Sequence, residues 1–301
     1  MESSVTTLFD QTIAILIELG IMLGVVMLIL AFAYALLQWF KHRSREANAL
    51  NFVTLQVRVP RQNEVKIDAA EQMFTGIYSI KKDGLRSWWQ PEEIISFEIV
   101  ALKEDIAFYV SVPEKIRDLV EKQIHGAYPN ADIVEVDEVN IFSDKGRVAF
   151  APLKLNKANH YPLRYYKDLP NDGLSLITSA LAKMGEGEGA VIQFLIQPTG
   201  DGWKSTGEKF MSGQKKKEAD PEKASYTHDP KEMEAISNKL EKPGFRVSIR
   251  IVVSAKTEYA ADAHLKNIAG TFAQFSSPYN KLKKARVFFK HLFMIDFLYR
   301  Y

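Results

Sequence analysis

One uninterrupted apolar run constrains this chain more than anything else in it. Ile13 to Phe40 reads IAILIELGIMLGVVMLILAFAYALLQWF, and Glu18 is its only charged residue. As a helix, these residues reach roughly 42 Å, more than the ~30 Å hydrocarbon thickness of a bilayer. A buried core helix rarely stays apolar on every face for so long. A cleaved signal peptide fits poorly, because nothing before Ile13 is basic and the run exceeds an ordinary h-region. The sequence therefore predicts a transmembrane helix over 13–40, with a short extracytoplasmic N-terminus, 1–12, before it.

The flanks set the expected orientation. Lys41, Arg43 and Arg45 follow the run directly, in a basic linker, 41–50. By the positive-inside rule that end is cytoplasmic. Trp39 and Phe40 sit where an aromatic belt is expected. Gly20 and Gly24 form one G-x-x-x-G, which lets two helices approach closely; ordinary glycine usage in a membrane helix is the alternative. Glu18 either reaches the interface or faces a partner helix.

After the linker the pattern changes to short strands and medium helices. FVTLQVRV, 52–59, alternates as a half-buried strand does. DAAEQMFTGIYSI, 68–80, has helical spacing. ISFEIVA (95–101) and IAFYVSV (106–112) flank a charged turn and predict a hairpin. Pro113 opens a helix, and ADIVEV, 131–136, is a fourth strand. The order, strand-helix-strand-strand-helix-strand, is that of a ferredoxin-like βαββαβ unit, placed at 51–143. Residues 144–301 repeat it more loosely. Strand material lies at 148–155 and 161–166. A helix spans 174–184, with Gly185 as its C-cap. Strands follow at 190–197 and 245–254, a helix at 259–275 and a last strand at 284–289. An insertion, 203–243, interrupts this second unit. Its QKKKEADPEK reads as a mobile loop and KEMEAISNKL as a short helix. The fold class is α+β: one N-terminal transmembrane helix followed by two tandem ferredoxin-like units.

The chemistry the sequence can carry is narrow. GDGWKST, 200–206, follows a strand as a phosphate-binding loop does. A Walker A loop, however, needs four residues between its glycines and a glycine directly before the lysine. Here Gly200 and Gly202 are one residue apart, and Trp203 precedes Lys204. STGEKFMSG, with two glycines, is also a poor helix to follow such a loop. The six histidines are scattered without H-x-x-x-H spacing, so a metal site is not expected. The absence of cysteine removes thiolate chemistry and disulfides. No catalytic, cofactor-binding or metal-ligating residue is nominated. Lys plus Arg is 39 against 37 acidic residues, so net charge indicates no partner. Locally, Lys215, Lys216, Lys217, Lys283, Lys284 and Arg286 are candidates for contact with a partner or with nucleic acid. KGRVAFAP, 145–152, departs from the RNA-binding strand signature, with arginine where the first stacking aromatic belongs.

Two segments carry a family resemblance: ISFEIVALKEDIAFYVSVPEKIRDLVEKQIHGAYPNADIVEV and GEGEGAVIQFLIQPTGDGWKSTG. With the N-terminal span, they make residues 13–301 resemble the membrane-proximal N-terminal region of bacterial type IV secretion and conjugative DNA-transfer ATPases of the FtsK/HerA type. The resemblance implies a non-catalytic module, single-pass in the cytoplasmic membrane, that oligomerises and positions a translocation ATPase. In such proteins the motor domain follows this region. Here the sequence stops at FLYRY, so the ATPase is expected either later in a longer chain or as a separate partner. The alternative expectation is a membrane-tethered nucleic-acid-binding module that uses its sheets or its lysine-rich loop.

Overall fold

Alternation along the strands places apolar side chains on one face of a sheet and a mixed set on the other. The computed structural model describes residues 2–42, 51–60, 62, 64–82, 84, 90–103, 105–170, 172–218 and 229–301. The chain divides into two units, residues 1–47 with 82–91, and residues 48–81 with 92–301.

The first unit is dominated by helix α1 (Glu2–His42). Its segment Ala14–Leu37 has a mean hydropathy of 2.8, and none of it is buried. Ile15, Leu19, Leu23, Met27, Leu30 and Tyr34 are all exposed. By length and composition this helix can cross a membrane.

The second unit is built on eight strands. In chain order they are β1 (Phe52–Arg58), β2 (Ile95–Leu102), β3 (Asp105–Pro113), β4 (Asp132–Val136), β5 (Arg147–Leu155), β6 (Gly189–Pro198), β7 (Phe245–Ala255) and β8 (Leu282–Lys284). They form one sheet in the order β4-β1-β3-β2-β6-β7-β5-β8, and every pairing is antiparallel. Each half of the sheet contributes four strands. The halves join at β2 and β6, where Ile95 pairs with Ile196, Glu98 with Gln193 and Ala101 with Ala190. The second strand of one half thus lies against the second strand of the other, about a local pseudo-twofold axis at Glu98–Gln193.

Helices α2 (Asp68–Ile77) and α3 (Arg117–Ala127) cover the first half on one face, and α4 (Gly173–Leu181) and α7 (Glu258–Thr271) cover the second half on the same face. Met73, Ile77, Val120 and Ile124 meet Leu55, Ile95, Val110 and Val112. Ile177, Leu181, Leu265 and Ile268 meet Ile99, Ile192, Ile251 and Val253. Fully burying a side chain of this size contributes roughly 1.5–3 kcal/mol. The helix starts follow local chemistry. The Asp172 carboxylate accepts from Leu174 N–H at 3.0 Å, and the Thr257 hydroxyl accepts from Ala260 N–H at 3.1 Å, each satisfying an otherwise orphan donor. The opposite face is crossed by the 137–146 segment, through Ile141, and by the last helix, α8 (Lys290–Leu298).

Several sequence expectations need correction. Residues 161–165 form no strand, and 166–168 are a 3₁₀ turn. The last strand covers only 282–284; Ala285 still donates its N–H to the Pro152 carbonyl at 2.8 Å, and the chain then leaves the sheet edge towards α8. Pro113 ends β3 instead of opening a helix, and α3 begins at Arg117 after a 3₁₀ turn. The helix expected over 174–184 stops at Leu181. Gly185 donates its N–H to the Glu188 carboxylate at 3.0 Å, and the glycine in the left-handed region is Gly187, at φ 74°. The insertion is largely helical. Despite its glycines, Gly202–Glu218 forms α5, and α6 (Pro230–Leu240) follows. Gly207 earns its place there, since a Cβ would lie 2.8 Å from the Leu240 side chain. Residues 219–228 of the expected loop lie outside the described residues.

Candidate functional site

The most elaborate polar arrangement lies at the pseudo-twofold axis, beneath α8. Strand alternation sends Ser96 and Glu98 of β2, Gln193 of β6 and Arg250 of β7 to the face opposite the helical layer, and all four are buried. The Glu98 carboxylate accepts from Ser96 Oγ at 2.7 Å, from Gln193 Nε2 at 3.1 Å and from Arg300 Nε at 2.8 Å. Gln193 Nε2 also donates to the Phe297 carbonyl at 3.2 Å, and Arg250 donates to Gln193 Oε1, to the Asp296 carbonyl at 2.7 Å and to the Tyr301 carbonyl. Arg300 extends the network to Glu138 at 2.6 Å.

The electrostatics follow from burial and pairing. Burial lowers the Arg250 guanidinium to about 10, partly offset by Asp296, so it stays charged at neutral pH. For Arg300 burial pulls the same way, but Glu98 and Glu138 together outweigh it and the net shift is upward. Glu98 Oε1 and both guanidinium groups of this network bond neighbouring protein groups, and these charge-assisted contacts clamp α8 and the residues after it onto the sheet.

A second polar cluster is exposed. An open concavity of about 340 Å³ is lined by Asp68, Glu71, Gln72 and Thr75 of α2. Lys167 pairs with Asp68 at 3.1 Å, Lys242 pairs with Glu71, and the Tyr166 hydroxyl donates to Asp68. The Tyr166 hydrogen bond, then Lys167, lowers the Asp68 carboxyl below its ordinary value. These pairs tie α2 of the first half to the 165–168 turn and to Lys242 of the second. Among the described residues, no group of three or more His, Asp or Glu side chains could hold a metal ion.

The nominated residues fall in separate places. Lys215, Lys216 and Lys217 are exposed on the last turn of α5, a helix and not the loop expected, where they complement the helix dipole. Lys283 and Lys284 are exposed on edge strand β8, and Arg286 is exposed just beyond it. A Cβ on Gly20 or Gly24 would meet nothing within 4 Å. Trp39 is exposed on α1, Lys41 lies in the same helix, and Arg43 and Arg45 lie outside the described residues.

The sequence reading missed Glu98, Gln193, Arg250 and Arg300. The signal was present in the alternation. In ISFEIVA and FRVSIRIVVS, charged residues share parity with the strand positions that face away from the helices. A charge in a central strand demands a buried partner.

Residues 41–281 match the model of a family described as a domain of unknown function, DUF8128. The chain belongs to this family. The DUF8128 match takes in all of β1–β7 and helices α2–α7, and it ends one residue before β8. No curated protein matches the chain.

Proposed function

We propose that this chain is a membrane-anchored, non-catalytic assembly module that holds and oligomerises a translocation ATPase at the cytoplasmic face of the membrane, as part of a type IV secretion or conjugative DNA-transfer system. The observation that carries the reading is α1, whose 24-residue segment Ala14–Leu37 is apolar but for Glu18 and is exposed along its whole length, followed by a domain whose buried polar groups serve packing. The strand order within each half, outer-first-third-second in chain order, supports reading the halves as two ferredoxin-like units fused edge to edge. The basic residues Lys41, Arg43 and Arg45 support a cytoplasmic C-terminal side.

The test is to extract the whole native protein from membranes and measure its mass, its subunit number and its nucleotide hydrolysis. An oligomer that carries an ATPase domain or retains a separate ATPase supports the proposal. A monomer with neither overturns it. Exposed Lys215, Lys216 and Lys217, adjacent on one helical turn, favour nucleic-acid binding as the second reading. That reading requires DNA binding that weakens steeply with salt as counterions are released, and that is lost when the three lysines are replaced by glutamate.

A further inference from the structure

The residues just before and within α8 expose a basic and aromatic surface that none of the described residues covers. Phe288 is 85% exposed, Phe289 72% and Leu292 57%. Isolated exposed apolar residues are ordinary, but these three lie within five positions of one another. From Lys281 to Ile295 the sequence has no acidic residue, while Lys281, Lys283, Lys284, Arg286 and Lys290 are all exposed. The patch is also held in place. On its inner side Phe293 stacks on Phe150 with ring centroids 4.5 Å apart and Phe297 is buried in the sheet face, while Arg250 and Gln193 bond the Asp296 and Phe297 carbonyls. The outward aromatic residues are therefore presented by an anchored element.

We propose that this surface docks on an anionic bilayer, with Phe288, Phe289 and Leu292 entering the headgroup region and the neighbouring cations of 281–290 drawn to lipid phosphates. The inference rests on reading α1 as a membrane span. Two features select a membrane as the occupant. Bulky apolar residues flanked only by cations fit a negatively charged interface, where the rings sit among headgroups and each cation gains from the surface potential. A domain joined to a membrane span through a short linker also stays within reach of that surface whatever its orientation.

The absence of native cysteine makes a site-specific test direct. The full chain would be reconstituted in vesicles as three single-cysteine variants, Phe289→Cys, Leu28→Cys and Tyr259→Cys, each labelled with an environment-sensitive fluorophore. Tyr259, 86% exposed on α7, is the aqueous control. In vesicles containing phosphatidylglycerol, the probe at 289 should shift to the blue and be quenched by bilayer-embedded spin labels, as the probe at 28 is and the probe at 259 is not. The shift should be lost in purely zwitterionic vesicles, in about 1 M salt where the Debye length is roughly 3 Å, and in the Lys283→Glu, Lys284→Glu, Arg286→Glu variant. A probe at 289 as aqueous as that at 259 in anionic vesicles overturns the docking and leaves the anchor standing. A probe at 289 shielded equally in detergent overturns it in favour of a second protein surface. A probe at 28 that escapes quenching overturns the anchor and the docking together.

Discussion

Glu98 and Arg300, 202 positions apart in sequence, meet at 2.8 Å between the centre of the sheet and the end of the last helix. Their side chains are only 9% and 10% exposed. Arg300 reaches the carboxylate from the left-handed region, at φ 57°, the one non-glycine residue with positive φ among those described.

Breaking that pair from one side should be costly. Arg300→Ala leaves a buried carboxylate without its cation and should destabilise the protein by about 3–5 kcal/mol. Arg300→Gly removes the same cation but relieves the left-handed backbone, so it should be milder by roughly 1 kcal/mol. The double variant Glu98→Gln, Arg300→Met should recover much of the loss. Denaturant unfolding of the four proteins in one detergent measures all three differences. Equal losses for Arg300→Ala and Arg300→Gly would show that the backbone stores no strain there.

His160 gives the domain a pH-dependent joint. Its ring stacks on Phe210 of α5 at 4.7 Å, and its buried Nε2 has no hydrogen-bond partner among the described residues. Burial, then the nearby Lys239, lowers its pKa below the ordinary 6.5, with Glu232 opposing. The unfolded chain therefore takes up a proton as pH falls through 6.5 while the folded chain resists it. Stability should fall as pH drops from about 6.5 to the lowered folded pKa, and level off below it. His160→Phe keeps the stack and should flatten that slope. Melting temperatures between pH 5 and 8 decide the point, and an unchanged slope in His160→Phe would assign the effect to another group.

Gly244 is where the insertion returns to the sheet. A Cβ there would lie 2.2 Å from the Trp203 indole nitrogen. Gly244→Ala should force the indole out and cost about 1–3 kcal/mol. Trp203→Leu makes room, so the double variant should lose less than the sum of the singles. Tryptophan fluorescence would report the displaced indole, with a red shift expected in Gly244→Ala.

How much of this was legible beforehand depended on which interactions decide each feature. The apolar span and the strands expected at 52–59, 95–101, 106–112 and 245–254, each within one residue of the observed bounds, follow from local periodicity, which does not depend on the rest of the chain. α5 was missed because propensity argued against it. Gly207 and Gly213 weaken an isolated helix, but packing of Gly207 against Leu240 and of Phe210 against His160 overrides that preference. The β2–β6 seam was beyond periodicity altogether, because nothing in ISFEIVA names GAVIQFLIQ as its neighbour. The Glu98–Arg300 pair had a readable half, a carboxylate in a central strand. Its partner was invisible because it sits on a terminal turn whose position depends on α8 docking.

The seam also has a mechanical meaning. Seven interstrand spacings of about 4.8 Å make the sheet roughly 34 Å wide, and backbone hydrogen bonds run through β2–β6 without a break. Two halves joined by a flexible linker would swivel and dissipate a load. Stitched strand to strand, they form a beam, so a pull on the β4 edge is carried laterally to the β8 edge in shear across every ladder.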